Sequence, residues 1–332
     1  MIIDFFSANI SELFTYLVDA NKRIFYLYLL GAALLAIPVY IKHTSVPYAK
    51  PQSKKSILGF FRYLTPWKIY SAASARHDYV LLLFNKLLKA ALFPLIVFAM
   101  APVAIGFSNI LEWLFGTIEP FALSASAIVG IFTLLLFIAD DFTRFYLHYS
   151  LHKYAVLWEF HKVHHSAKVL TPFTIYRSHP IENLLYAFRM TLTQGVVVGL
   201  CYYLFGPTLK MVDILGANLF IFLFNIFGSN LRHSHIRFSW GDRLEKWLIS
   251  PAQHQIHHGD QPSQHHTNFG TCLAIWDRMW GLLRLSSQFP KLNFGIKGVA
   301  HNSVMQIYLE PFKFAAYRLL GMKNKIPKST KE

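Results

Sequence analysis

Sixteen histidines occur in this chain of 332 residues, and most of them fall in four short clusters. The clusters have the patterns His-x-x-x-His, His-x-x-His-His, His-x-His and, again, His-x-x-His-His. In chain order their histidines are His148, His152, His161, His164, His165, His233, His235, His254, His257 and His258. Side chains three or four residues apart lie on the same face of a helix. Each of the larger clusters therefore predicts a set of imidazoles that converge on one point.

Converging imidazoles are ligands for divalent iron, zinc, copper and nickel. One ion takes roughly four to six donors, whereas the three larger clusters supply eight histidines. We expect His233 to be a ninth ligand, and His235 to be either a further ligand or a neighbour of the site. Without an ion, eight buried imidazoles would leave many polar groups unsatisfied. The pattern therefore predicts a centre that holds two metal ions.

Several other polar residues near the clusters have two interpretations. His179, His265 and His266 are either additional ligands or residues that contact a ligand or the substrate. Asp141 and Asp277 either accept hydrogen bonds that fix the imidazole rings, or form helix caps or surface ion pairs with neighbouring arginines.

Five apolar stretches must hold the clusters in place. They are Ile24–Ile41, Tyr79–Phe107, Phe121–Ile138, Leu184–Leu204 and Met211–Phe227. Each approaches or exceeds the roughly 17–25 residues that cross a bilayer as a helix, although Arg189 and Gln194 make the fourth either a span or a shallow interfacial helix. Hydrophobic residues make up 54% of the chain and charged residues only 15%, against about 25% in soluble proteins. We expect an all-α, polytopic membrane helix bundle of four to five spans.

The segments between these stretches differ in charge. The formal net charge is +15, and the lysines and arginines concentrate in Thr44–Asp78, in Asp140–Asn183 and after Gly228. By the positive-inside rule these segments face the cytosol, and all the histidine clusters lie in them. The third stretch continues without Gly or Pro to His152, which predicts a helix that projects beyond the membrane. The sequence thus predicts a cytosolic helical cap that holds the metal site.

The same distribution bears on partners and on compartment. The basic residues lie between apolar runs and not on a soluble module, so no nucleic-acid partner is expected. Cys201 and Cys272 do not suggest a disulfide framework, which favours a reducing compartment for the working side. Nothing in the sequence indicates an oligomeric state.

The residues around the histidines resemble the motifs of the fatty acid hydroxylase/sterol desaturase superfamily of membrane di-iron enzymes. The matching blocks, in the family's order, are Asp141 before His148-Tyr-Ser-Leu-His152, Trp158-Glu-Phe-His161-Lys-Val-His164-His165, Asn230-Leu-Arg-His233-Ser, Pro251-Ala-Gln-His254-Gln-Ile-His257-His258, Asn268-Phe-Gly270 and Trp276-Asp277-Arg-Met-Trp-Gly281. Three positions depart from the pattern: Tyr149 stands where Arg is common, Trp280 replaces Phe, and Leu282 replaces Thr. None of the three is an expected ligand.

The resemblance implies a catalytic region over residues 141–281. The sequence has no internal repeat, Gly/Ser linker or low-complexity tract, so we expect residues 1–332 to form a single integral-membrane domain. The resemblance also implies two iron ions as cofactors, dioxygen as co-substrate, and electrons from a separate reductase or cytochrome. Asn268 joins the candidate neighbours of the site. The implied reaction is hydroxylation of an aliphatic carbon of a membrane lipid, such as an acyl chain, a sterol or an alkyl ether. The implied location is a bacterial inner membrane or the endoplasmic reticulum, with the active site on the cytosolic side.

Two alternatives remain open from the sequence. A lipid or sterol desaturase would use the same two irons but remove a second hydrogen instead of inserting oxygen. A non-oxidative zinc membrane protein would need fewer ligands and, for catalysis, an open coordination position.

Overall fold

A computed structural model describes residues 2–42, 56–210, 218–296, 298–299 and 303–326. All regular secondary structure in these ranges is helical, apart from two isolated β-bridges, Leu248 with Leu273 and Gly259 with Phe294. The predicted all-α class is therefore confirmed for the described residues.

The α-helices are, in chain order, α1 Ile2–Thr15, α2 Tyr26–Lys42, α3 Ile57–Leu64, α4 Trp67–Tyr70, α5 Ala73–Phe115, α6 Ala125–Lys153, α7 Ala155–His165, α8 Pro180–Phe205, α9 Leu219–Ile226, α10 Asp242–Glu245, α11 Pro251–His257, α12 Ile275–Met279 and α13 Val304–Leu319. Short 3₁₀ helices cover Pro172–Tyr176, Ser229–His233, Pro262–Gln264, Ser286–Gln288 and Lys323–Lys325.

Two of the described helices, α6 and α8, are long and apolar enough to cross a membrane. They correspond to the third and fourth predicted stretches. Shorter apolar helical segments cover Tyr26–Lys42 and Ala99–Phe115, which correspond to the first stretch and to part of the second. Of the fifth predicted stretch, residues 211–217 lie outside the described residues, and the described remainder contains only the eight-residue α9.

Helix α6 is the element that carries the first histidines. Ser124 caps its N-terminus by accepting a hydrogen bond from the main-chain N–H of Ala127, as N-cap serines do. The helix then runs without interruption to Lys153, well beyond the end of the apolar stretch at Ile138. The expectation that the third stretch continues through His152 is thus confirmed.

Small residues bring α8 close to α5. A Cβ atom added to Gly195 would lie 2.6 Å from Cγ1 of Val103, and one added to Gly199 would collide with the main-chain oxygen of Ala104. Glycines four residues apart allow two helices to approach closely, a packing mode common in membrane helices. This contact fixes α8 against α5. A hydrogen bond between the hydroxyl groups of Thr143 and Thr193, 3.0 Å apart, then joins α8 to α6.

Short helices and loops form the remainder of the centre's scaffold. Ser250 and Gln253 form a capping box at the start of α11, and Pro251 occupies its first position, where a missing N–H costs nothing. Helix α13 packs on α7, where the buried carboxylate of Glu159 pairs with Lys162 and with Arg318.

Candidate metal centre

Nine buried imidazoles form two adjoining groups. In each group all the candidate ligand atoms lie within 4.8 Å of one another. The five-histidine group consists of His148, His152, His161, His165 and His257. The four-histidine group consists of His164, His233, His254 and His258. These are the nine histidines that the sequence nominated as ligands.

The two groups adjoin because two helices contribute to both of them. Helix α7 places His161 and His165 in the five-histidine group and His164 in the four-histidine group, and α11 with its C-cap residue divides its histidines in the same way. Successive residues on a helix point about 100° apart, whereas residues four apart share a face. The pattern His-x-x-His-His therefore presents imidazoles in two neighbouring directions. The rings of His165 and His258, from different groups, stack with centroids 4.6 Å apart.

The Nε2 atoms face one another at short range. In the five-histidine group Nε2 of His148 lies 3.1 Å from Nε2 of His161. In the four-histidine group Nε2 of His233 lies 3.0 Å from that of His254 and 3.1 Å from that of His258. A metal–imidazole bond of about 2.1 Å puts two ligand nitrogens about 3.0 Å apart at a right angle and about 3.4 Å apart at a tetrahedral angle. The spacing fits nitrogens that share one ion.

Main-chain carbonyls hold the outer nitrogens of three rings. Nδ1 of His148 donates to the carbonyl of Phe269 at 2.9 Å, Nδ1 of His257 to that of Thr267 at 2.8 Å, and Nδ1 of His164 to that of Arg177 at 3.1 Å. A carbonyl accepts only, so Nδ1 carries the hydrogen and Nε2 presents its lone pair to the centre. Such outer partners orient metal-ligating histidines.

Two rings have charged outer partners. Nδ1 of His161 donates to Oε1 of Glu182 at 3.0 Å. Nδ1 of His254 instead accepts from Nη2 of Arg232 at 2.9 Å. His254 therefore offers its Nε2 lone pair when the ring is deprotonated, an anionic state that the arginine cation stabilises. Both charged partners are buried.

Burial keeps the imidazoles in the form that binds metal. It lowers the pKa of His164 to about 4, with the neighbouring His161 adding to the effect. Burial also lowers the pKa of His233 and of His254 well below the ordinary value, helped by His164 and by Arg232, respectively. Neutral imidazoles are the usual ligating species, so burial holds His164 and His233 in that form at physiological pH. The neutral ring of His254 carries its hydrogen on Nε2, because its Nδ1 accepts from Arg232, and must lose that hydrogen to bind an ion.

Comparison with known proteins agrees with this arrangement. Residues 133–282 match the fatty acid hydroxylase family, and every histidine of the two groups lies within the match. This part of the chain is therefore similar to fatty acid hydroxylases. The predicted resemblance to the wider superfamily is thereby confirmed.

Several curated proteins resemble about half of the chain. An ornithine lipid hydroxylase of Rhizobium tropici is 28% identical over 173 residues, 52% of this chain and 47% of that protein. An alkylglycerol monooxygenase of Danio rerio is 28% identical over 171 residues, 50% of this chain and 32% of that protein. A human lathosterol oxidase is 26% identical over 162 residues, 49% of this chain and 47% of that protein. The chain thus spans less than half the length of these relatives. No solved structure matches it.

Four further histidines nominated by the sequence lie outside both groups. His235 contacts the carbonyl of Tyr63 at 2.6 Å. His179 caps α8, with Nδ1 accepting from the N–H of Ile181 and Nε2 donating to the carbonyl of Tyr308, so both of its nitrogens are engaged in the scaffold. His265 is half-buried and His266 is exposed. The ring of His266 lies edge-on to that of His152, with centroids 5.8 Å apart, so His266 neighbours the five-histidine group without belonging to it.

The two aspartates correct the sequence interpretation. Asp141 forms neither a hydrogen bond to an imidazole nor an ion pair among the described residues. Its carboxylate accepts from the N–H groups of Cys272 and Leu273 and from Nε1 of Trp276. Asp277 likewise accepts from two consecutive N–H groups, those of Phe269 and Gly270, at 2.8 and 2.7 Å.

These aspartates contact the imidazoles only indirectly, through the main chain. They hold the segment 269–273, and its Phe269 carbonyl accepts from His148. Asn268 has a similar structural role, since its side chain bonds to the main chain of Gln253 and Arg284. Asn268 adopts a left-handed backbone with φ 55°, a conformation that asparagine tolerates better than most residues.

Sequence reasoning missed Glu182 and Arg232 as ring partners. A buried acid at the edge of an apolar stretch is by itself a functional signal, and Glu182 stands two residues before the predicted fourth stretch. Arg232 directly precedes His233, but nothing in a linear pattern shows that it faces His254. The carbonyl partners Phe269, Thr267 and Arg177 have no sequence signal, because any residue supplies a carbonyl.

Proposed function

We propose that this chain is an integral-membrane, di-iron, dioxygen-dependent monooxygenase that hydroxylates an aliphatic carbon of a lipid. This proposal rests on the two adjoining imidazole groups, whose Nε2 atoms face one another within the region that is similar to fatty acid hydroxylases. The names of the relatives, ornithine lipid hydroxylase and alkylglycerol monooxygenase, support lipid oxidation.

The number and arrangement of ligands support two ions. With hydrogens on the Nδ1 atoms of His148 and His161, their Nε2 lone pairs meet at 3.1 Å, a repulsive contact unless a cation lies between them. In the four-histidine group Nε2 of His164, whose Nδ1 donates to the carbonyl of Arg177, lies 3.2 Å from Nε2 of His233. Structural zinc takes four ligands and catalytic zinc usually three, so nine imidazoles exceed what a single zinc site needs.

The chemistry of the substrate supports iron. An unactivated C–H bond offers no acidic proton and no leaving group, so the cofactor must carry the difficult step. When bound, two iron ions would supply redox chemistry toward dioxygen, converting R–H, O₂, two electrons and two protons into R–OH and water. This balance requires two electrons from outside, which supports a separate reductase or cytochrome as partner.

The residues of the chain position and shield this chemistry. The carbonyls of Phe269, Thr267 and Arg177 fix ring orientation in both groups. All nine imidazoles are buried, so bulk water is excluded from the centre. The ring of Trp158 lies 4.8 Å from that of His152, centroid to centroid, and closes one side of the five-histidine group.

We further propose four to five membrane spans, with the centre at the cytosolic surface. Two helices of suitable length and the basic segments around the histidines support this topology. His148 and His152 lie in the last two turns of α6, so the centre is close to the end of a membrane-crossing helix. A lipid substrate would then enter from the bilayer.

Metal analysis of anaerobically purified protein, combined with lipid mass spectrometry of expressing and non-expressing cells, tests the proposal. We expect two irons per chain and a lipid product heavier by one oxygen. His161→Ala and His257→Ala should abolish the product, whereas the control His235→Ala should retain it. Normal product from folded His161→Ala and His257→Ala proteins, or zinc alone in the purified chain, would overturn the proposal.

Desaturation is the second candidate. The similarity to a lathosterol oxidase supports desaturation as a candidate reaction, because that protein is named for oxidation and not for hydroxylation. The same mass spectra separate the two reactions, because a desaturated lipid loses two hydrogens and gains no oxygen.

A further inference from the structure

Helix α3 has an apolar face at the surface of the protein. Its side chains Ile57, Leu58 and Phe61 are 80%, 60% and 59% exposed. With Thr65 they lie on one side of the helix, because residues three and four apart share a face. Shortly after α3, Trp67 at the start of α4 is also 80% exposed. A cluster of large exposed apolar side chains marks a contact with another surface.

The opposite face of α3 is fixed to the rest of the protein. Tyr63 is only 2% exposed, and its ring packs on that of Tyr40 near the end of α2, with centroids 5.4 Å apart. The carbonyl of Tyr63 accepts a hydrogen bond from Nε2 of His235 at 2.6 Å. His235 lies two residues after His233 of the four-histidine group. Because these contacts hold α3 by its inner face, the apolar face stays at the surface.

The charges beside the apolar face are all positive. Arg62 and Lys68 are exposed next to it. Residues 43–77 contain six lysines and arginines and no aspartate or glutamate. A helix that is apolar on its outer face and accompanied only by cations complements anionic lipid headgroups. Tryptophan is also enriched at this level of a membrane, which agrees with the exposure of Trp67.

The position of α3 agrees with a bilayer surface. It packs on α2, an apolar helix, through Tyr40, which lies two residues before the end of α2 at Lys42. Large apolar side chains are exposed along one side of α2, at Leu30, Leu34, Ile37 and Ile41. A stripe of this kind is what contact with lipid tails requires, so α3 lies where a lipid-facing helix ends.

We propose that the apolar face of α3, together with Trp67, lies in the headgroup layer of an anionic membrane leaflet, with Arg62 and Lys68 paired to lipid phosphates. The inference rests on the proposed membrane location of the chain and not on its metal chemistry. The contact between Tyr63 and His235 joins this anchor to the segment that carries His233. The anchor thereby sets the depth of the metal centre relative to the bilayer surface.

Fluorescence quenching of the full chain in lipid nanodiscs tests the anchor. Leu58→Cys and Phe61→Cys are each labelled with a fluorescent maleimide, since both native cysteines are buried. A phosphatidylcholine that carries a nitroxide near its headgroup reports contact with lipid, and iodide reports contact with water. In discs of phosphatidylcholine and phosphatidylglycerol, we expect the nitroxide to quench both labels and iodide to leave them bright.

Ser263→Cys is the control for the label. Ser263 is exposed, and His266, three residues later, contacts His152 at the end of α6 that is farthest from the apolar stretch. A label at this position should therefore be quenched by iodide and not by the nitroxide.

Neutral variants test the role of the cations. Each cation near an anionic leaflet contributes about 1 kcal/mol, which is about 5-fold in the ratio of inserted to water-exposed labels. Arg62→Gln combined with Lys68→Gln should lower the ratio by this factor for each charge removed. Discs of phosphatidylcholine alone should lower it to the same level. Arg243→Gln combined with Lys291→Gln, which removes two exposed cations elsewhere, should leave it unchanged.

Three outcomes would overturn the proposal. In the first, iodide quenches the labels at positions 58 and 61 and the nitroxide does not. In the second, the labels are shielded from both quenchers, which would show that protein, such as a second copy of the chain, covers the face. In the third, insertion depends neither on lipid charge nor on Arg62 and Lys68. Retention of the chain in membranes washed with alkaline carbonate tests its integral-membrane location separately, and iron content with lipid product tests its chemistry.

Discussion

At the scale of single residues, the orientation of each imidazole depends on what holds its outer nitrogen. Three rings use main-chain carbonyls, which no substitution removes directly. His161 uses the carboxylate of Glu182, which a substitution can remove. Glu182 is therefore the most accessible test of whether ring orientation controls the five-histidine group.

Glu182→Gln should weaken metal binding in that group. The amide can still accept a hydrogen bond from His161, but it lacks the charge that strengthens the bond and the basicity of the ring. Loss of such a partner typically costs 10- to 100-fold in metal affinity or activity. Iron retention during dialysis against a chelator measures the effect. Glu112→Gln, at an exposed glutamate of α5, is the control, and equal retention in both variants would contradict the assigned role.

At the scale of helices, the contact between α5 and α8 depends on glycines that leave no room for a side chain. Gly199→Ala would push a methyl group into the main-chain oxygen of Ala104. We expect a loss of about 1–3 kcal/mol in the free energy of unfolding, seen as a lower unfolding temperature in detergent. Gly130→Ala in α6 is the matched control, because nothing lies within 4 Å of an added Cβ there. An unfolding temperature lowered equally by both changes would argue against the close packing.

The segment that supports His148 should give the protein a pH-dependent stability. Burial raises the pKa of Asp277 to about 7, whereas the unfolded chain has a value near 3.9. Between these values the folded protein holds a proton that the unfolded chain releases, so this group's contribution to stability falls as pH rises from about 4 to about 7.

Asp277→Asn removes that titration and keeps one acceptor for the N–H groups of Phe269 and Gly270. Unfolding temperatures measured from pH 5 to pH 7.5 should therefore fall more steeply for the wild type than for the variant. The histidines titrate in both proteins, so the difference between the two curves isolates Asp277. Parallel curves would show that Asp277 keeps an ordinary pKa.

At the scale of the whole molecule, the sequence predicts local features well and tertiary ones poorly. The histidines of the two groups were identifiable because spacings of three and four residues determine which side chains share a helix face. The division of these histidines into a group of five and a group of four could not be predicted, because it depends on how α6, α7 and α11 pack together. The roles of Asp141 and Asp277 were missed for the same reason: their partners are main-chain N–H groups of a distant segment.

The number of spans shows a different limit. Hydropathy identifies α6 and α8 correctly, but it cannot locate helix ends within a continuous helix such as α5, which extends over Ala73–Phe115. Charge and hydropathy indicate whether a segment favours water or lipid. They do not determine where its helix begins or ends.

Metal removal should destabilise the entire protein. An ion that binds only the folded state stabilises it by about 4 kcal/mol at 1,000 times its dissociation constant, so chelation should lower the unfolding temperature by roughly 10 °C. Adding Zn²⁺ back should restore stability without restoring lipid oxidation. The same chelator saturated beforehand with iron is the control. Unchanged stability after complete metal removal would mean that the imidazoles hold no ion in the folded protein.

Helices α7 and α11 each contribute to both imidazole groups, and this sharing has a consequence for how the protein acquires its metals. If the centre holds two ions as proposed, the first ion would order both short helices and the second would find its ligands already arranged, which is positive cooperativity. Iron uptake should consequently be close to all-or-none. In a cell short of iron, the protein molecules would then carry either two ions or none, and few would carry a single ion.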